Sequence, residues 1–138
     1  MISVSTPLNL RHFHMRENIK TLRPQIPAIE TEQIKTPLEQ FHHEVLRPIL
    51  KFQNEIILEV FLSEMRRFKI DLGQYSPKGK KEKIKSALQK NQKLRTLLIG
   101  IVIALFELDE LNFYHQHQSE INKRISNMLE ERIVSQLT

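Results

Sequence analysis

The sequence predicts an all-α, single-domain protein: a mostly antiparallel bundle of three to five helices with an irregular N-terminal segment. Only three glycines occur among 138 residues, whereas a protein of strands and tight turns needs many more. Leu, Ile, Glu, Lys and Gln are abundant, and most of them favour helices. Apolar residues also recur at the spacing of one helix face after residue 36. We expect an irregular N-terminal arm over residues 1–35 and a helical bundle domain over residues 36–138.

The N-terminal arm contains prolines at positions that break any helical period, namely Pro7, Pro24 and Pro27. A short helix is expected over about residues 13–22. The proline-rich piece that follows is expected to run over the bundle with three apolar side chains tucked in, those of Leu22, Ile26 and Ile29.

Capping residues and a proline locate the first helix and its end. Thr36 suits the cap position, and Glu39 completes a capping box with it. Pro48 lacks a backbone N–H and would clash with the Glu44 carbonyl inside a continuous helix. We therefore expect a kink or break over residues 43–47, with Pro48 in the first turn of a new helix.

The next helix is predicted to be the longest, over about residues 46–70. Gly73 suits the left-handed cap that ends many helices. Ser76, followed by proline, then opens a basic helix over about residues 78–89.

The most apolar stretch spans residues 96–106 and follows Asn91, which suits a cap. It is about half the length of a membrane-spanning helix and has charged residues on both sides. We interpret it as a central buried helix; a central β-strand is the alternative. Gly100 within it predicts a close crossing with another backbone. The last element is expected over about residues 107–137, with a bend or break over residues 116–119 that Ser119 would cap.

The net charge of +5 comes mainly from one segment. Residues 74–95 contain eight basic residues and one acidic residue. Lysine dominates, which indicates a field of point charges rather than bidentate phosphate recognition, and the only nearby aromatic is Tyr75. Contact with an acidic partner or solvent, binding of an anionic polymer, and contact with a membrane surface remain open. The candidate polyanion-binding residues are Lys78, Lys80, Lys81, Lys83, Lys85, Lys90, Lys93 and Arg95.

The sequence contains no strong metal-binding or catalytic motif. There is no cysteine, which removes disulfides and thiolate metal sites. The helical spacing of metal-binding histidines is three or four residues, and the histidine pairs do not have it. Carboxylate pairs such as Glu55 and Glu59 are common on helix surfaces. We therefore predict no catalytic, cofactor-binding or metal residue and no cofactor. The histidine pairs considered as metal ligands are His12 and His14, His42 and His43, and His115 and His117.

Three stretches carry a resemblance to a known family. They are Leu22-Arg23-Pro24-Gln25-Ile26-Pro27, then Leu46-Arg47-Pro48-Ile49-Leu50-Lys51-Phe52-Gln53-Asn54, then Asn122-Lys123-Arg124 with Met128 and Glu131-Arg132. Together they resemble a family of short, helical, uncharacterised bacterial proteins often labelled glyoxalase. The resemblance implies a helical protein whose function is not established. The chain shows no paired strand repeat of lactoylglutathione lyases, and no catalytic residue is carried over.

These observations favour a soluble cytoplasmic protein that acts by binding without catalysis, most simply to a protein partner. Self-association into a homodimer is a further expectation, because Phe52, Ile56 and Met65 widen the apolar stripe of the longest helix. One alternative is a polyanion or nucleic-acid binder that uses segment 78–95. The other is an enzyme of the kind that the glyoxalase label names.

Overall fold

The computed structural model describes Arg16, residues 18–26 and residues 36–138. Within these residues every regular element is helical, which confirms the predicted all-α fold. A π-helical turn (His42–Leu46) joins the first two helices, and 3₁₀ turns span Ile19–Leu22 and Leu72–Gln74. The α-helices are α1 (Pro37–Phe41), α2 (Arg47–Phe52), α3 (Asn54–Arg67), α4 (Pro77–Lys90), α5 (Gln92–Ile103), α6 (Leu108–Gln116) and α7 (Gln118–Leu137).

The predicted start of α1 and the break before Pro48 are both confirmed. The Thr36 hydroxyl oxygen accepts a hydrogen bond from the Glu39 amide at 3.1 Å. The break takes the form of the π-helical turn, and Pro48 lies in the first turn of α2. The wider π-helical turn changes the hydrogen-bond pattern before Pro48. The N–H that Pro48 lacks is therefore accommodated, and the helical path continues from α1 into α2.

The predicted helix over residues 46–70 is broken at Gln53, which the sequence did not indicate. The Gln53 backbone leaves helical geometry (φ −85°, ψ 4°). Its side-chain amide donates to the Ile101 carbonyl in α5 at 3.0 Å. A tertiary hydrogen bond therefore lies at the junction of α2 and α3.

The end of α3 differs from the prediction that Gly73 would adopt a left-handed conformation. Lys69 does so instead, with φ of 58°, and no glycine of the described chain has positive φ. The Ile70 amide donates to the Met65 carbonyl at 2.9 Å, the long-range bond of a Schellman motif. After this motif Ile70 packs against the core cluster that contains Met65, and Lys69 takes a conformation that glycine favours.

The local signals for the later helices were mostly correct. The side chains of Ser76 and Asn91 each accept a hydrogen bond from the amide three residues on, at 3.1 and 3.0 Å. The predicted break over residues 116–119 is confirmed at His117. Ser119 is not its cap, because α7 already begins at Gln118.

The apolar stretch over residues 96–106 is not buried on all sides. Leu98, Val102 and Phe106 are in the core, but Leu97 is 53% exposed. The predicted close crossing at Gly100 is wrong, because this residue is exposed and an added Cβ would meet nothing within 4 Å. The stretch therefore has one buried face and one exposed face, and it is not the central buried helix that the sequence predicted.

The core is organised along α7, which packs against α4, α5 and α6, while α3 packs against α5. Buried residues of α7 recur every four positions, at Ile121, Ile125, Leu129 and Ile133, as one face of a helix requires. No helix in the described parts of the chain has both the length and the apolar character needed to cross a bilayer.

Three cations of the N-terminal segment bind the α5–α6 turn, and we call this contact the N-terminal anchor. Arg16 donates to the Phe106 carbonyl, and Lys20 pairs with Glu107 at 2.7 Å. Arg23 donates to both carboxylate oxygens of Glu110, at 2.9 and 2.6 Å. The anchor holds the described part of the arm on the bundle.

The apolar contacts expected for the arm are only partly present. The predicted helix over residues 13–22 is represented by the 3₁₀ turn Ile19–Leu22, and most of its first half lies outside the described residues. Ile26 is half-buried, but Leu22 is 48% exposed and not tucked in. Ile29 lies outside the described residues.

Candidate functional site

The basic segment 78–95 does not form one continuous surface. Arg95 is used within the fold, because its guanidinium donates to carbonyl groups at the C-terminal end of α4. Lys81 and Lys85 line a small cleft toward α7 together with Glu130 and Glu131. These carboxylates place acidic charge beside part of the basic segment.

Three other lysines of the segment surround a groove of about 630 Å³ between the end of α3 and the α4–α5 junction. We call it the lysine groove. Ser86, Asn91 and Gln92 add polar groups to its lining. Its apolar residues are Met65, Phe68, Ile70 and Ala87, and its cations are Lys83, Lys90 and Lys93.

The Schellman turn at the end of α3 shapes the apolar side of the lysine groove. Met65 is buried, whereas Phe68 is 55% exposed. The Arg67 guanidinium lies 5.6 Å from the centre of the Phe68 ring. An exposed aromatic ring next to a buried thioether gives the groove an apolar wall that a ligand can cover.

Within the described part of the chain, no carboxylate lines the lysine groove. Glu64, on the nearby part of α3, accepts from the Asn91 amide at 2.8 Å and pairs with Arg67 at 3.5 Å. Lys83 lies 5.7 Å from the Tyr75 ring centre. Among the described residues, the three groove lysines form no ion pair, so their charge is available to a partner.

A second cavity, of about 670 Å³, lies between α7 and the segment that runs from the π-helical turn to the start of α2. We call it the arginine cleft. His42 and Arg47 form one side, and α7 supplies the other. The α7 residues that line it are Glu120, Lys123, Arg124, Asn127, Met128, Glu131 and Arg132.

His42 is neutral at physiological pH in this cleft. Burial is the main cause that lowers its pKa from 6.5 to about 4, and His43, Arg124 and Arg47 contribute to the same shift. Its Nδ1 and that of His43 have no hydrogen-bond partner among the residues that the structure describes. The two rings meet edge to face, 4.9 Å between centres, so they pack together rather than converge on one point.

The other histidines also provide no metal centre in the part of the chain that the structure describes. His115 is exposed, and His117 lies 4.0 Å from Glu120 at the break before α7. His12 and His14 lie outside the described residues. The described ranges contain no group of three histidine, aspartate or glutamate side chains arranged to hold a metal ion.

The sequence prediction missed the arginine cleft because its cations are far apart along the chain. Arg47 and Arg132 come from two stretches that carry the family resemblance, and Lys123 and Arg124 come from one of these. None is part of the basic segment. Their shared appearance in the quoted motifs was the one available signal, and only the packing of α7 brings them together.

Comparison with known proteins gives no match among protein-family models, curated proteins or solved structures. The resemblance to the glyoxalase-labelled family stays a prediction. The two cavities are therefore the basis on which a function is proposed.

Proposed function

We propose that this protein is a small, non-catalytic interaction protein whose lysine groove binds an acidic, amphipathic segment of a protein partner. One observation carries the proposal: the groove combines an exposed apolar wall with three lysines, and none of the described residues that line it is a carboxylate. The absence of cysteine supports a reducing compartment such as the cytoplasm.

The chemistry of the groove selects the partner segment. Covering the exposed Phe68 ring favours an aliphatic or aromatic anchor, since burying such a side chain contributes about 1.5–3 kcal/mol. Aspartate or glutamate beside that anchor would meet the lysines, which steer association and add specificity. At about 630 Å³, the groove has the size of a site for one or two side chains.

A peptide titration with two charge-matched variants tests this proposal. The probe is a fluorescent acidic peptide with leucine and phenylalanine on one helical face. Changing Lys83, Lys90 and Lys93 to Gln is expected to weaken binding by roughly tenfold or more, since each exposed pair contributes up to about 1 kcal/mol. The matched control changes Lys78, Lys80 and Lys81 to Gln and is expected to alter affinity by less than about threefold.

Two further arms separate docking from simple charge attraction. Phe68→Ser is expected to weaken binding by about tenfold, because the apolar wall is lost. A peptide of the same composition with scrambled order is expected to bind weakly. Equal losses in both lysine variants, with no effect of Phe68→Ser, would overturn groove docking and favour the polyanion alternative that uses the whole of segment 78–95.

Self-association is a second candidate, favoured by a different apolar surface. Phe52, Ile56 and Leu97 are 46%, 54% and 53% exposed on three helices, α2, α3 and α5, of which α3 packs against the other two. Met65, which the sequence placed in the same stripe, is buried and belongs to the lysine groove. Sedimentation equilibrium is expected to show a dimer that Ile56→Lys converts to a monomer; a monomeric wild-type protein at millimolar concentration would exclude it.

A further inference from the structure

The arginine cleft holds four cations that the described fold leaves unpaired. Arg47, Lys123, Arg124 and Arg132 line it, and within the described residues none of them forms an ion pair or a side-chain hydrogen bond. Three of the four are at least half covered by the surrounding structure, and Lys123 is exposed. The charge of these groups is therefore concentrated inside a concave site.

Neighbouring cations in the cleft act on one another. Burial lowers the pKa of Arg132, and the charge of Arg47 lowers it further. Guanidinium groups nevertheless stay charged near neutral pH, so Arg47 and Arg132 repel each other. Glu120 and Glu131 also line the cleft and offset part of the charge. With His42 neutral, four cations and two carboxylates leave a net charge of +2.

We infer that the arginine cleft binds a small molecule carrying a phosphate monoester. The charge of a phosphate dianion is equal and opposite to the net charge of the lining. One guanidinium group can also bind two phosphate oxygens through two parallel hydrogen bonds. The two carboxylates then accept hydrogen bonds from hydroxyl or amino groups on the rest of the ligand. The cleft, at about 670 Å³, has the size of a site for a metabolite.

The same lining disfavours a nucleic-acid strand. A polymer would run its phosphates past Glu120 and Glu131, which repel them. Of the described residues that line the cleft, His42 alone is aromatic, so they offer successive bases no stacking surface. A single terminal phosphate can instead reach the arginines and keep the carboxylates beside its neutral part.

Isothermal titration calorimetry with glycerol phosphate tests the inference, with glycerol as the uncharged control. The wild-type protein is expected to bind glycerol phosphate and not glycerol. Arg47→Gln and Arg132→Gln are each expected to weaken binding by roughly tenfold or more, because each loses a charge-assisted contact. Arg66→Gln removes the same charge from an exposed arginine outside the cleft and is expected to change affinity by less than about twofold.

Further arms identify the source of the phosphate and protect against misfolded variants. Circular dichroism checks that each variant is folded, and Arg124→Gln replaces any that is not. Binding to phosphatidic acid vesicles that Arg47→Gln abolishes would assign the phosphate to a lipid headgroup; binding to glycerol phosphate alone would assign it to a soluble metabolite. Absence of binding to both, or equal binding by the cleft variants and Arg66→Gln, would overturn the inference.

Discussion

Two regions of the molecule hold arginine side chains in contrasting ways. In the N-terminal anchor, the side chains of Arg23 and Glu110 are 7% and 10% exposed and pair through two hydrogen bonds. In the arginine cleft, burial and the charge of Arg47 lower the pKa of Arg132, and neither arginine forms an ion pair with a carboxylate among the described residues. Arg23 of the first region therefore has a counter-ion, whereas Arg47 and Arg132 of the second form no ion pair among the described residues.

The comparison distinguishes structural charge from charge available to a ligand. Removing an ion from water costs several kcal/mol, which a well-placed counter-ion offsets. The anchor supplies that counter-ion, and Glu110 also accepts from the Glu107 amide at 2.8 Å. The cations of the cleft and of the lysine groove form no ion pair among the described residues, so we expect substitutions there to change binding much more than folding.

The largest expected effect comes from breaking the anchor. Glu110→Ala leaves Arg23 buried without its counter-ion, and we expect the free energy of unfolding to fall by about 3–5 kcal/mol. Urea denaturation measures this change, with Glu59→Ala as a control at an exposed position. A loss below about 1 kcal/mol would mean that the anchor contributes no more than a surface ion pair.

The next effect concerns His42 and pH. Its folded pKa of about 4 lies below the reference value of 6.5, so the unfolded chain binds the proton more readily between these values. The stability that depends on neutral His42 is therefore fully present above about pH 6.5 and is lost as the pH falls toward 4. Because His42 is only half-buried, we expect the His42 contribution to be roughly 1 kcal/mol after allowance for solvent screening.

Urea unfolding of the wild type and His42→Gln between about pH 7 and pH 5 isolates this contribution. The wild type should lose more stability than the variant, and His115→Gln at an exposed position serves as the control. Bound phosphate should reduce the difference, because a nearby anion raises the pKa of His42. Parallel pH curves for all three proteins would show that His42 is not perturbed by its surroundings.

The smallest expected change in the free energy of unfolding is that of a substitution outside both the N-terminal anchor and the arginine cleft. Gly100→Ala meets no atom within 4 Å, and we expect it to raise the free energy of unfolding by about 0.5–1 kcal/mol through helix propensity. Thermal unfolding measures the shift. If Gly100→Ala were less stable than the wild type, the result would support the close backbone crossing that the sequence predicted at Gly100.

The parts of the fold that could be predicted depend on neighbours in sequence. Caps at Thr36, Ser76 and Asn91 and the break at Pro48 each rest on side chains within a few residues, so local chemistry determines them. The break at Gln53 could not be predicted in the same way, because its side chain bonds a carbonyl 48 residues away.

The candidate sites were predictable to different degrees for the same reason. The three groove lysines lie in a visible charge cluster, so the sequence indicated them, although it gave no reason to separate them from their neighbours. The apolar wall depends on Lys69 adopting a conformation that the sequence assigned to Gly73. The cleft required Arg47 and Arg132 to meet, and only the position of α7 brings them together.

The most direct test of this contrast is the thermal unfolding of Arg132→Met with and without saturating glycerol phosphate. Without it, we expect the variant to unfold at the same temperature as the wild type or higher, because a repulsion is removed. With it, the wild type should gain about 5 °C or more and the variant almost nothing. A variant destabilised in both conditions, with the same ligand-induced shift as the wild type, would show that Arg132 is structural and contradict the account.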